Sequence, residues 1–154
     1  EDEPMIAVGW NGEVMAGDVL RGAVGLARDN SLQTCVVLSL FTDRRARADD
    51  PLPATPADRR GWVGDALSDD GDQWGSRLWL LRRAKETEET RRRAEEYARE
   101  ALQWLISDTL ASRLDVAASW VARGVLGLAI SITLAGGAVE RYNLALAAGL
   151  GEAA

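Results

Sequence analysis

Chemistry in this chain would have to be done by carboxylates and arginines, because its 154 residues include no histidine and a single cysteine. Without imidazole there is no Ser-His or Cys-His nucleophile, no histidine metal ligand and no side chain that ordinarily exchanges protons near neutral pH. Two acids on opposite sides of a cleft could cleave a glycosidic bond, one of them with a raised pKa. Glu100 and Asp108, with Asp65, are the acids that could take these roles. Nothing in their spacing separates them from carboxylates on an exposed helix and in a solvated loop. The run "SDDGD", with Asp69, Asp70 and Asp72, gathers acids around a glycine as a calcium loop does, but the terminal glutamate of that signature is missing. It reads as a solvated turn, and neither a metal nor a cofactor is expected. "GWVGDALSDDG" lacks the Lys-Ser/Thr of a phosphate loop.

The most particular stretch is "DRRGWVGD", residues 58–65, with two arginines, two aspartates, two glycines and a tryptophan. It could be a catalytic loop, a nucleic-acid loop or a piece of an interface. A net charge of −6 argues against phosphate neutralisation, so no nucleic-acid partner is expected. Arg91, Arg92 and Arg93 point three ways around a helix, where neighbouring glutamates answer them. Lys85 is the only lysine; the other cations are arginines, whose planar fork suits bidentate pairing. Six tryptophans stand against one phenylalanine and two tyrosines, a bias that fits either core or interface anchors. Cys35, in "QTCVVLSLF", reads as a small buried hydrophobe and is consistent with a reducing cytosol. The opening "EDEPMIAVGW" is acidic without a long apolar run, so no secretory leader is expected there. The most apolar run, residues 125–135, is about half a membrane span, and no membrane partner is expected.

The elements that must position these residues follow from periodicity. A length of 154 residues suits a single domain. Residues 5–10 and 13–16 flank Asn11-Gly12, which predicts a hairpin with a type I′ turn in an N-terminal region, 5–26. Leu32, Val36, Val37, Leu40 and Phe41 predict a helix over 31–42, although the valines keep a strand reading open. Prolines at 51, 53 and 56 and glycines at 61, 64, 71 and 75 predict a long loop over 43–76. Loops of this length inside a compact domain are usually functional.

Residues 77–83 read as a short ordered segment. Ala94, Ala98, Ala101, Leu102 and Leu105 then form the buried stripe of a long helix over 86–108. Glu88–Arg92, Glu89–Arg93 and Glu95–Arg99 are spaced to pair along its outer face. From 113 to 146 the period becomes two, predicting an antiparallel hairpin turning at Arg123-Gly124 and a third strand over 139–146. The class is therefore α+β: a small antiparallel sheet packed with a long and a shorter helix, an N-terminal hairpin and a long central loop.

In order along the chain, "LSLFTDRRA" at 38–46, an acidic-proline loop, "DRRGWVGD" at 58–65, "GSRLWLLRRAKET" at 75–87 and "YAREALQWLISD" at 97–108 resemble the Mu-type phage baseplate wedge family. That family is similar to the sheath-initiating wedge protein of T-even phage tails, once described as lysozyme-like. The resemblance covers about residues 5–145. The family pattern looks like "GWWGD" where this chain has Val63, and the T-even pattern has Glu-Pro-Arg after its long helix where this chain reads "ISDTLASRL".

The resemblance implies a non-enzymatic structural protein of the virion tail baseplate, assembled in the bacterial host cytoplasm. Its partners would be larger baseplate wedge proteins and the tail sheath subunit, with hub or tube proteins also in reach. A peptidoglycan-degrading, lysozyme-like enzyme is the alternative. On the structural reading, a sheet with an open border accepts extended arms of a sheath subunit. The candidate strands are 113–122, 125–134 and 139–146, with Val139, Arg141, Tyr142 and Leu144 as the contact residues. In the loop, Arg59 and Arg60 would pair with carboxylates of a neighbouring subunit or of Asp43, Asp58 and Asp65. Gly61 and Gly64 would permit the tight path, Trp62 would be an anchor in a partner's pocket, and Asp65 and Trp74 would also contact the partner. Alternatively Trp62, Trp74 and Trp79 close the domain's own core.

Overall fold

The computed structural model describes residues 5–23, 28–29, 31–53, 58–69 and 71–148. Its centre is an antiparallel sheet of three strands, β5 (Ala111–Ala122), β6 (Val125–Leu134) and β7 (Val139–Ala147), in the order β5-β6-β7. Cross-strand register converts the two-residue period into layers on one face: Trp120, Leu126 and Leu146; Ala118, Leu128 and Leu144; Val116, Ile130 and Tyr142; Leu114, Ile132 and Glu140. Leu126, Leu128, Ile130 and Ile132 of the middle strand are essentially fully buried. The opposite face presents Ala117 and Asn143 to solvent.

Helix α2 (Glu88–Leu102) covers the apolar face. Thr87 caps it by accepting a hydrogen bond from the Thr90 amide at 3.2 Å, and Glu88 and Glu89 complement the helix dipole in the first turn. Small Ala94, Ala98 and Ala101 let it approach the sheet closely. The predicted 86–108 helix is interrupted at Gln103 and resumes as α3 (Trp104–Ser107). There the Gln103 amide reaches Glu100 O and the Ile106 amide reaches Gln103 O, so the ladder tightens to three-residue steps. Leu105 stays fully buried and Trp104 Nε1 reaches Ser39 Oγ at 3.1 Å.

Of the predicted helix pairs, Glu88–Arg92 (3.5 Å) and Glu89–Arg93 form, but Glu95–Arg99 does not. Glu95 pairs with Arg91 and accepts from the Ala118 amide at 3.0 Å, while Arg99 donates to Val116 O at 3.0 Å. Outward backbone groups of β5 lack a strand partner there and take these side chains instead.

Helix α1 (Gln33–Phe41) replaces the open strand reading, and Glu140 of β7 accepts from the Leu32 amide at its start. The N-terminal region holds β1 (Met5–Ile6) paired with β4 (Arg28–Asp29), and a hairpin of β2 (Val8–Asn11) with β3 (Ala16–Val19). The turn differs from a two-residue type I′ turn: Asn11 pairs with Ala16 and four residues lie between. Asn11 Oδ1 accepts from the Glu13 amide at 2.9 Å, and the positive φ falls at Met15. The side chain thus stabilises a wider turn than the dipeptide alone suggests. Residues 24–26 of that region, Pro56 and Asp70 lie outside the described residues.

The loop after α1 is anchored at both ends. Asp43 and Ser76 form a bridge in which Arg44 N bonds Ser76 O and Ser76 N bonds Thr42 O, each at 2.9 Å. Gly75, at φ +97°, passes so close to the Thr42 carbonyl that a Cβ would collide with it. Two 3₁₀ turns follow from this path: the exposed Val63–Leu67 and the buried Leu78–Leu81.

Candidate functional site

The sheet has two borders, and the fold treats them differently. Along β5, Arg91 and Arg99 donate to Ala118 O and Val116 O, and Glu95 accepts the Ala118 amide. Helix α2 therefore occupies that border at Val116 and Ala118, and β6 lies between its neighbours. Strand 125–134 is accordingly removed as a candidate for strand addition, being paired on both sides, while strand 113–122 is met at Val116 and Ala118 by arginine and glutamate side chains.

Along β7 the alternation of an antiparallel ladder decides which groups face out. The Ala148 amide bonds Gly124 O at 3.0 Å, toward β6, so Leu146, Leu144, Tyr142 and Glu140 also spend their backbone groups on β6. Val139, Arg141, Asn143 and Ala145 turn theirs outward. Trp10 Nε1 takes Ala145 O at 2.6 Å, and its ring stacks on Phe41 with centroids 3.6 Å apart. The N-terminal hairpin thereby closes one end of this border. Among the described residues, no hydrogen bond reaches the outward backbone groups of Arg141 and Asn143.

Of the sequence-predicted border residues, Val139 and Arg141 thus offer free backbone and exposed side chains. Tyr142 and Leu144 point half-buried side chains to the core face, with Tyr142 Oη donating to Glu140. Asn143 was missed, although its two-residue offset from Arg141 marks it.

The loop residues are brought together, mostly on one another. Arg59 donates to the carbonyls of Arg47 and Ala48. Arg60, at φ +51°, pairs with Asp43 at 2.6 Å and lies 4.6 Å from the Trp79 ring centre, while its amide donates to Asp58. Of the partners open to these arginines, the internal Asp43 is thus engaged. Gly61 adopts φ +121° beside Arg45. Asp65 accepts the Trp74 amide at 3.0 Å, and Trp74 leans on Trp104. The Trp62 ring lies across Gly64, where a Cβ would collide with it.

The tryptophans divide. Trp79 is buried and donates to Arg44 O at 2.8 Å, while Trp62 is half exposed.

Behind the loop sits a charge cluster that the sequence did not reveal. Arg77 is nearly buried, bonds Asp50 at 2.8 Å and Glu100 at 2.9 Å, and lies 4.4 Å over the Tyr97 ring. Burial works against its charge, yet the hydrogen bonds it donates to Glu100 and Asp50 raise its pKa overall. Burial also raises the Tyr97 pKa. Glu100 is further engaged by Arg47, so two of the three acids considered for hydrolysis, Glu100 and Asp65, already serve as structural acceptors. Asp108 is exposed beyond α3. Among the described residues no group of three or more His, Cys, Asp or Glu is arranged to hold a metal ion, and no helix is long and apolar enough to cross a membrane.

A family model described as "Phage protein GP46" matches residues 32–139, the stretch running from α1 through the loop and α2 to the start of β7. "Baseplate protein gp46" of Escherichia phage Mu is 45% identical over 139 residues, covering 90% of this chain and 92% of that protein. "Mu-like prophage FluMu protein gp46" of Haemophilus influenzae is 40% identical over 137 residues, covering 88% of this chain and 91% of that protein. A match spanning the sheet, the helices and the loop that ties them makes this chain a member of the phage protein GP46 family.

Proposed function

We propose that the chain is a structural, non-enzymatic protein of a phage-tail baseplate, acting as one wedge domain that links larger wedge subunits to the first sheath ring. The name of its phage Mu relative supports the baseplate role. The observation that carries the linking role is the free border of β7 at Val139, Arg141 and Asn143, opposite a border that α2 occupies. An extended arm of a sheath subunit pairing there would gain main-chain hydrogen bonds, with alternate side chains setting register. Hub or tube proteins are further neighbours in such an assembly. The tail baseplate is then its location in the virion, and the host cytoplasm is where it is built.

Hydrogen exchange on purified tails tests the reading. The Arg141 and Asn143 amides should exchange quickly in the isolated chain and slowly in the particle. Equal rates in both would remove strand addition. The lysozyme-like alternative predicts clearing of a cell-wall suspension by the pure chain, and the structural reading predicts none.

A further inference from the structure

We infer that the loop tip formed by Trp62, Val63 and Leu67 is an apolar anchor that enters a socket bordered by arginine or lysine on a neighbouring tail subunit. This rests on the baseplate reading and adds the chemistry of one partner. The three side chains fall within six consecutive positions and are 50%, 81% and 85% exposed. Isolated exposed apolar residues are ordinary, but three of them on one short exposed turn mark an interaction site.

The turn is held in place. The Asp65 amide bonds Trp62 O at 3.1 Å, the Ser68 amide bonds Asp65 O at 3.3 Å, and Asp65 Oδ1 holds the Trp74 amide. Trp62 packs over Gly64, and at the base Arg59 and Arg60 fasten the loop to Arg47, Ala48 and Asp43. A preformed tip loses little freedom when it binds, so its exposed apolar area is available for affinity.

Charge selects the occupant. Arg60 pairs with Asp43, and Arg59 and the neighbouring Arg45 turn to backbone carbonyls, whereas Asp58, Asp69 and Asp72 are exposed and have no ion pair among the described residues. A second copy docked tip to tip would set carboxylates against carboxylates, and an anionic lipid surface would repel the tip for the same reason. An apolar socket with a cationic rim matches both the side chains and their acidic surround. Three side chains are too few for a standard interface, so the tip is the central anchor of a wider contact.

The test is a competition. Tails are assembled with equal amounts of the unsubstituted chain and a Val63→Ser, Leu67→Ser double variant. Neither side chain is buried, so the variant should melt with the unsubstituted chain, yet be under-represented in purified tails by about tenfold, as for loss of an interface anchor. A photo-crosslinking residue at position 67 should join the chain, within the tail, to a different subunit at a peptide carrying arginine or lysine beside apolar residues. Equal incorporation, or crosslinks only to a second copy or to lipid, overturns the anchor while leaving the baseplate role intact. Absence of the unsubstituted chain from tails overturns the baseplate role and the anchor together.

Discussion

The Arg77 guanidinium lies 2.8 Å from Asp50 with side-chain exposures of 5% and 8%, which fastens the proline-bearing loop to the body of the protein through a nearly dry ion pair. Glu100 of α2 takes the Nε edge of the same guanidinium. Removing Asp50 leaves the buried guanidinium with Glu100 alone and its Asp50-facing donor unmet. Asp50→Ala should therefore lower stability by about 3 kcal/mol in urea unfolding. Arg77→Met with Asp50→Ala, which removes both charges, should cost less than Asp50→Ala alone.

The two faces of β7 give a paired prediction about proline. Arg141 has an outward amide, so Arg141→Pro should keep a melting temperature close to that of the unsubstituted chain while abolishing incorporation into tails. Tyr142 gives its amide to β6, so Tyr142→Pro should remove a rung of the ladder and lower the melting temperature sharply. Normal incorporation of Arg141→Pro would contradict partner pairing on this border.

Gly75 and Gly137 both have positive φ, at +97° and +92°, but differ in surroundings. A Cβ at 137 meets open space, and Gly137→Ala should cost about 1 kcal/mol, the strain of a left-handed residue. At 75 it would collide with the Thr42 carbonyl beside the Asp43–Ser76 bridge. Gly75→Ala should cost more than about 3 kcal/mol, because neither backbone can yield without opening the bridge. Thermal melts of the two variants separate these effects.

Burial raises the Tyr97 pKa above its ordinary value of 10.0. With the folded pKa raised, the stability it contributes is full below the unfolded value and is lost as pH rises through the folded one. Stability should therefore fall above pH 10, and Tyr97→Phe should flatten that decline. Absorbance titration of phenolate formation should show Tyr97 ionising late, and a Tyr97 that titrates at its ordinary value would contradict the prediction.

The strands and helix α2 were legible because their burial follows fixed periods: Leu126, Leu128, Ile130 and Ile132 in steps of two, Ala94, Ala98 and Ala101 in steps of three and four. The break at Gln103 was not, since no proline or glycine marks it; just beyond it Trp104 bonds Ser39, 65 residues away in sequence. The hairpin was visible but its turn was not, because Asn11 acts through its side chain. "DRRGWVGD" stood out by composition; within it the Arg60 amide meets Asp58, while its arginine side chains reach Asp43, Arg47 and Ala48 and its Asp65 takes the Trp74 amide. Which members face out was hidden, since exposure of Val63 and Leu67 depends on where the turn projects. Arg77 was hidden more deeply: its partners lie 27 and 23 residues away, and no local pattern reports them.

The unequal treatment of the two sheet borders also limits what copies of this chain can do to each other. If two molecules met β7 to β7, each would present to a third arrival a flank whose Val116 and Ala118 backbone groups are already taken by Arg91, Glu95 and Arg99. Those bonds would have to break before β5 could add a strand there, which disfavours growth beyond a pair.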